Sequence, residues 1–335
     1  MTADQDFVIT YSPALTLVPT YECFNRCTYC NFRTEPGQSP WLTLTEARQR
    51  LEVARSQGVV EILVLSGEVH PKSYRRSAWI QHVYDLCALA LEMGFLPHTN
   101  VGPLNEAEMT LLKSVNVSMG LMLEQITPAL LKTVHHRAPS KVPALRLQQL
   151  AQAGKLKIPF TTGLLLGIGE SDQDRLDTLE AIATCHRQWG HIQEVILQPH
   201  QPGQHQTETR ASFSTQELIA WIKIARTCLP DDITIQIPPN LVGGSRKDLL
   251  QTLKHGARDL GGLSPVDEVN PDYPHPKASA IAQTLRSAGW ELQPRLPVYP
   301  HYQSWLSADL QSASARCHER LLQLKTSLET IATAS

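Results

Sequence analysis

The sequence contains no long apolar run. Nowhere does an uninterrupted hydrophobic stretch approach the roughly 18 to 20 residues that a membrane-spanning helix requires. The opening, MTADQDFVITYSP, has neither the basic start nor the apolar middle of a secretory signal. A cytoplasmic protein with no membrane partner is expected. There is also no excess of charge: 30 Lys and Arg stand against 32 Asp and Glu, a formal net charge of -2. That balance supplies none of the basic surface that binding to nucleic acid calls for, so no nucleic acid partner is expected. A second C-x-x-C pair is missing too, and none of the 13 histidines forms an equivalent pair in sequence. Both absences weigh against a four-ligand structural zinc site.

What is present is a globular composition, 42% hydrophobic and 19% charged, over 335 residues, a length that single barrels of alternating strands and helices reach. Short β-rich runs recur along the chain: LTLVPTY, VEILVLSG, LPHTNVG, VSMGLMLE, IPFTTGLLLG, EVILQPHQ, ITIQIPPN and, more weakly, ARDLGGLSP. Between them stand helix starts, with Thr43 and Glu46, Asn105 and Glu108, Ser214 and Glu217, and Ser245 and Asp248 spaced as an N-cap and an acidic residue three positions on. Gly58, Gly94, Gly154, Gly190, Gly256 and Gly289 stand where helix ends are expected. Strands of Val, Ile and Leu that each lead into a helix imply a parallel sheet covered on both faces. Eight such units predict an α/β fold, a (β/α)8 barrel of the TIM type, over residues 1–302. Residues 303–335 read as a C-terminal helical extension packed on the barrel. In such a barrel the active face lies at the strand C-termini, which on this reading carry Cys23, Glu68, Asn100, Glu124, Glu170, Gln198, Asn240 and Asp259.

Three of the seven cysteines are close together, as Cys23-x-x-x-Cys27-x-x-Cys30. Cys87, Cys185, Cys228 and Cys317 are scattered through helical segments and read as small buried hydrophobes, reduced in a cytosolic setting. Three thiolates are too few to close a zinc site. They suit a cubane of four irons and four sulfides, in which three irons take cysteine and the fourth is left for an outside ligand.

The motif Cys-x-x-x-Cys-x-aromatic-Cys, with Tyr29 as the aromatic residue, resembles the signature of the radical S-adenosylmethionine (SAM) enzymes. The resemblance implies a 4Fe–4S cluster on Cys23, Cys27 and Cys30 as the metal ligands. The open iron would chelate the amino and carboxylate groups of SAM, and an electron would cleave SAM to methionine and a 5′-deoxyadenosyl radical. Tyr29 would then pack near the adenine. LSGEVHP resembles the family's Gly-Gly-Glu segment, with Ser66 in place of the first glycine and with Gly67 and Glu68 facing the SAM ammonium. GLLLGIGE resembles the fifth-strand motif through Gly163, Leu165, Gly167 and Glu170, its glycines letting backbone approach the adenine side. Arg146 matches a position where relatives pair an arginine with the SAM carboxylate, and Glu124 one where they hold the ribose. From the residues alone, Arg146 reads equally as a solvated helix arginine.

SGEVHP, VHHRAPSK, IQIPPNLV and ARDLGGLSPVDEVNPDYPHP resemble the CofG branch, subunit 1 of the synthases that make 7,8-didemethyl-8-hydroxy-5-deazariboflavin (FO), from about Tyr11 to about Tyr302. The implied chemistry is an ammonia-releasing ring closure. A functional partner, CofH, supplies the 4-hydroxybenzyl adduct of a ribityl diaminouracil, and a ferredoxin or flavodoxin supplies electrons. Such an adduct needs polar contacts and an apolar wall, for which Asn100, Gln198, Asn240 and Ser264 are substrate-binding candidates. His200 and Asp259 lead the candidates for proton transfer, with Asp267 and Glu268 also open. Two alternatives remain: another radical SAM barrel enzyme, such as a CofH-like transferase or a menaquinone-pathway relative, or a zinc-stapled binding protein.

Overall fold

Val, Ile and Leu dominate short runs of the chain because both faces of those runs are covered, one by the barrel interior and one by helices. The structure, a computed structural model, describes residues 8–333. In chain order the elements are β1 (Val8–Leu17), α1 (Leu44–Ser56), β2 (Glu61–Leu65), α2 (Arg76–Glu92), β3 (Leu96–Asn100), α3 (Glu106–Lys113), β4 (Ser118–Gly120), α4 (Pro143–Lys155), β5 (Phe160–Leu166), α5 (Asp172–Trp189), β6 (Ile192–Pro199), α6 (Thr215–Cys228), β7 (Thr234–Gln236), α7 (Arg246–Lys254), β8 (Asp259–Leu263), α8 (Ala278–Ser287), β9 (Glu291–Pro294) and α9 (Ala308–Thr333). Strands β1 to β8 pair in sequence order and all in parallel, and β1 pairs with β2 from Ala14↔Glu61 to Leu17↔Val64, which closes the ring. This is a (β/α)8 barrel. No helix among the described residues is long and apolar enough to cross a membrane.

The four expected helix starts carry their caps. Thr43, Asn105 and Ser214 form reciprocal capping boxes with Glu46, Glu108 and Glu217, and Ser245 accepts from the Asp248 N–H. Ser171 and Asp174 form a further box, on α5. Two expectations are corrected. The first strand begins at Val8, ahead of LTLVPTY, because Pro13 breaks the apparent pattern but still offers its carbonyl to the Val60 N–H at 2.9 Å. Gly154 lies inside the last turn of α4 and not past its end; a Cβ there would stand 2.5 Å from the Trp189 side chain, so close helix packing selects glycine.

Two features shut the lower end of the barrel. Strand β9, absent from the eight runs read in the sequence, pairs beside the lower half of β1 from Val8↔Glu291 to Tyr11↔Pro294. The chain then runs beneath the barrel, where Val60, Leu96 and Val117 from the strand starts pack with Leu296, Val298, Tyr302 and α9 side chains such as Leu310 and Cys317. Above that apolar base sits a buried polar floor. Arg295 donates to both Asp259 oxygens at 2.6 and 2.7 Å and to Glu194, which also accepts from Thr161 at 2.9 Å. Asp259 is therefore the first residue of β8, at the end opposite to the active face where the sequence had placed it.

Candidate active site

The loop between β1 and α1 carries the three cysteines and is clamped by segments from four other places. Phe24 N–H donates to the Glu68 carbonyl (3.0 Å), Arg26 N–H to Arg137 (2.8 Å), Thr28 N–H to Val134 (3.1 Å), and Thr207 N–H to Thr28 (3.0 Å). The side chain of Asn25 exchanges hydrogen bonds with Ser140 at 2.8 and 3.2 Å. Asn31 bonds to Asp272 and to the His205 N–H at 2.9 and 2.7 Å. Such a loop has its polar groups satisfied by neighbours, which holds it in one shape. Cys27 is buried, while Cys23 and Cys30 are half-buried. Burial pushes the Cys23 thiol up to about 11 and Cys27 up to about 12, so thiolates are favoured there only beside a strong cation such as iron. The other four cysteines lie on α2, α5, α6 and α9, all as free thiols; Cys87 and Cys317 are buried, Cys185 and Cys228 half-buried.

A cavity of about 310 Å³ opens at the strand C-termini directly beside Cys30. Tyr29, Glu68, Asn100, Glu124, Arg146, Gln198 and His200 all line it. Arg146 is only 2% exposed. Its guanidinium donates to the Ser140 carbonyl at 3.1 Å and to the Met122 carbonyl, and lies 3.4 Å from Glu68. Glu124 has a left-handed backbone (φ 62°) and bridges β4's extension to Leu164. Lys141 pairs with it at 2.5 Å. Burial pushes the Glu124 carboxyl up, but Lys141 and Arg146 outweigh that and hold it below the ordinary range. Gly102 (φ 84°) makes room for Glu68, since a Cβ there would fall 2.5 Å from its side chain. The Tyr29 hydroxyl meets His135 Nε2 at 3.0 Å, and its ring packs on Leu130, Val134, Leu165 and Ile168.

Other expected site residues lie behind this lining. Glu170 is fully engaged with its own loop, accepting from the Gly167 and Ile168 N–H groups at 2.7 and 2.8 Å and from Arg175 at 2.7 Å. Gly167 (φ 91°) packs against Phe213, and Gly67 against the Glu22 backbone. Asn240 bonds to Asp267 and to the Tyr273 carbonyl, both at 2.8 Å, and Ser264 to the Val266 carbonyl. Glu268 accepts from the Tyr21 hydroxyl at 2.6 Å. The VDEVNPDYPHP loop thus braces itself and the cysteine loop, with Asn270 and Val269 as its contribution to the cavity. Lys141, Gln201 and Gln206 line or border the same space, and the sequence reading did not assign them. Lys141 closes the VHHRAPSK stretch five positions before Arg146, a spacing that could have flagged it.

The family model described as the radical SAM superfamily matches residues 17–182, which span the cysteine loop and the first half of the cavity. A 7,8-didemethyl-8-hydroxy-5-deazariboflavin synthase from Trichormus variabilis is 61% identical over 315 residues, 94% of this chain and 92% of that protein. The chain belongs to this radical SAM family. A 7,8-didemethyl-8-hydroxy-5-deazariboflavin synthase from Synechococcus elongatus is 62% identical over 308 residues, 92% of this chain and 91% of that protein. Among solved structures, the FeFe-hydrogenase maturase HydG from Carboxydothermus hydrogenoformans matches with a TM-score of 0.73 at 17% identity, covering 98% of this chain and 81% of that one. Methylornithine synthase (PylB) matches with a TM-score of 0.66 at 14% identity, covering 90% and 87%. At those identities the likeness shows the fold.

Radical SAM enzymes use a 4Fe–4S cluster and SAM, and the residues present fit both. Three thiols sit on one clamped loop with no fourth cysteine beside them. Next to them a buried arginine and carboxylates face a cavity that Gly102 keeps open, the charge pattern that an amino acid zwitterion requires.

Proposed function

We propose that the chain is a radical SAM lyase that makes FO. Its substrate is 5-amino-5-(4-hydroxybenzyl)-6-(D-ribitylimino)-5,6-dihydrouracil, and it releases ammonia, methionine and 5′-deoxyadenosine. One observation supports this reading most: a single cavity is lined both by Cys30, Glu68, Glu124, Lys141 and Arg146 and by the donors and acceptors Gln198, His200, Gln201, Gln206 and Asn270. The first set suits a charged sulfonium amino acid. The second suits a uracil and a polyhydroxyl chain, with Phe32, Leu63, Leu65 and Ile196 as apolar surface for a phenol.

When bound, the cluster and SAM supply a carbon radical able to take hydrogen from an unactivated position. Arg146 would hold the SAM carboxylate and Glu68 the ammonium, fixing the reacting carbon close to the substrate. Beneath the cavity, the ion pairs of Arg295 with Asp259 and Glu194 and the apolar base fill the lower barrel. His200 is buried and only loosely engaged, 3.3 Å from both the Ala211 carbonyl and the Gln206 side chain, which leaves its imidazole to move a proton as ammonia departs. A CofH-type partner supplies the adduct, and a ferredoxin or flavodoxin the electron.

The test is anaerobic incubation of cluster-loaded enzyme with SAM, reductant and the synthetic adduct. Deazaflavin fluorescence and one 5′-deoxyadenosine per turnover are expected. Deoxyadenosine with no deazaflavin would refute the substrate, and a colourless protein that takes up no iron would refute the class.

A further inference from the structure

The amide side chains that line the cavity belong to Asn31, Asn100, Gln198, Gln201, Gln206 and Asn270, and what holds each from behind decides which end it offers. Asn31 spends both ends within the protein, its nitrogen on Asp272 at 2.9 Å and its oxygen on the His205 N–H at 2.7 Å. Gln206 is used in the same way, donating to the Gln201 carbonyl at 2.9 Å while its oxygen meets His200 Nε2 at 3.3 Å. Asn100 and Gln198 have no side-chain partner among the described residues, so each is free to turn either end inward. Gln201, on a longer side chain, is tethered by one bond from its nitrogen to the Leu241 carbonyl at 3.2 Å. Asn270 differs from all of these. Its Nδ2 donates to Asp267 Oδ2 at 3.2 Å, its backbone N–H to Asp267 Oδ1 at 2.9 Å, and its Oδ1 accepts from nothing among the described residues.

Asp267 fixes which way that amide faces. Oδ1 also accepts from the Val269 N–H at 2.9 Å, and Oδ2 from Asn240 Nδ2 at 2.8 Å. With N–H groups on both oxygens the side chain acts as a carboxylate, which has lone pairs and no hydrogen to give. An amide oxygen turned toward it would be repelled, so Asn270 keeps its nitrogen there. Asn240 obeys the same constraint: it donates to Asp267 and to the Tyr273 carbonyl, both at 2.8 Å, although this leaves its own Oδ1 buried without a partner. The atom that Asn270 has left for the cavity is therefore a carbonyl oxygen.

We infer that Asn270 is a specificity-determining residue for the substrate's uracil ring, its locked Oδ1 accepting the imide N–H, with Asp267 as the positioning residue behind it. The inference rests on the proposed function, which supplies the ring. The ribityl and phenol hydroxyls rotate to donate or to accept, so they adapt to either end of an amide. The imide N–H is fixed in its ring and only donates. An acceptor that cannot turn selects a donor that cannot turn, because an analogue without that hydrogen leaves the carbonyl unpaired. Asp267, a candidate for proton transfer in the sequence, is on this reading a brace whose lone pairs are already taken.

The test compares the adduct with its imide-N-methyl analogue, which lacks the hydrogen in question, on the cluster-loaded protein and on its Asn270→Ala and Asp267→Asn variants. Anaerobic initial rates give kcat/KM for each pair. We expect the parent to prefer the adduct by about tenfold. Asn270→Ala should raise the KM for the adduct about tenfold, leave the KM for SAM unchanged and bring the preference close to one. Asp267→Asn keeps the side-chain volume but supplies an N–H of its own, which lets Asn270 turn its oxygen away from the cavity, so the preference should fall there too. A loop merely loosened by either substitution would slow both compounds together and keep the preference, which would overturn the inference. A parent that takes both compounds alike, or Asn270→Ala with the parent KM, would overturn it as well. Failure of the underlying function reads differently: the parent would then convert neither compound, and both readings would fall together.

Discussion

Two buried polar residues at opposite ends of the barrel show how a side chain's neighbours set its role. His200 lines the cavity with long contacts, whereas Asp259 is locked by Arg295 and by the Gly261 N–H at 2.6 Å. Replacing His200 with Ala should leave SAM cleavage intact and lower FO formation. Asp259→Asn should instead cost about 3–5 kcal/mol of stability, because the change removes one partner of a buried ion pair, with activity per folded molecule retained. Denaturant titration and product assays on both variants separate the two; an Asp259 variant that is stable but inactive would sink the assignment. The cysteines divide in the same way. Cys23→Ala, Cys27→Ala or Cys30→Ala should abolish deoxyadenosine formation while far-UV circular dichroism is unchanged, because the proposed ligands sit on a loop and in none of the packed apolar clusters. Cys185→Ala or Cys228→Ala should leave SAM cleavage intact; loss of iron from either would mean that a ligand is misplaced.

Among the elements, β5 and the turn after it carry the greatest constraint. Every residue of β5 is buried, and a Cβ on Gly163 would stand 2.3 Å from the Ile196 carbonyl of β6. A strand cannot yield to that contact without moving its neighbour. Gly163→Ala should therefore destabilise the barrel by about 1–3 kcal/mol, the range for overpacking. It should also raise the KM for SAM, since Glu124 hangs from the Gly163 carbonyl by its own N–H at 3.0 Å. Equilibrium unfolding and SAM-dependent initial rates check both effects, and an alanine variant with parent values would show that the strands are not as tightly held as the geometry implies. The following turn is braced differently, by the Glu170 carboxylate across two backbone N–H groups, which is a packing role for a residue whose motif suggested contact with SAM.

For the whole molecule, buried imidazoles set the response to acid. Burial pushes His98, His135 and His191 down to about 3. Unfolded, each would take up a proton near pH 6.5, so below that pH the unfolded chain binds more protons and stability falls as pH falls. Glu194, pushed by burial up to about 7, and Glu61, raised by the same cause, act oppositely, since their folded forms keep a proton that the unfolded chain gives up above about pH 4.5. His82, His275 and His301 are lowered by burial as well, so the imidazoles shifted down outnumber the two carboxylates shifted up, and stability falls as pH drops below about 6.5. Urea titrations of the metal-free chain at pH 6.5, 5.5 and 4.5 should show the midpoint falling throughout; a flat or rising midpoint would contradict it.

Local order in the residues was enough to read the barrel, four helix caps and the cysteine loop, because strand periodicity, capping and a three-thiolate ligand set are short-range chemistry that a few neighbouring residues specify. The sequence could not decide between a solvated and a buried Arg146, nor show that Lys141 would meet Glu124, that Glu170 would spend its carboxylate on its own turn, or that Asp259 would start β8 and not end it. Those outcomes depend on strand register and on which loops close over which strand ends. Register sets each side chain's height in the barrel, and a shift of a few residues carries a carboxylate from the active face to the floor. Only the closed ring, with β9 and α9 sealing its base, settles that height.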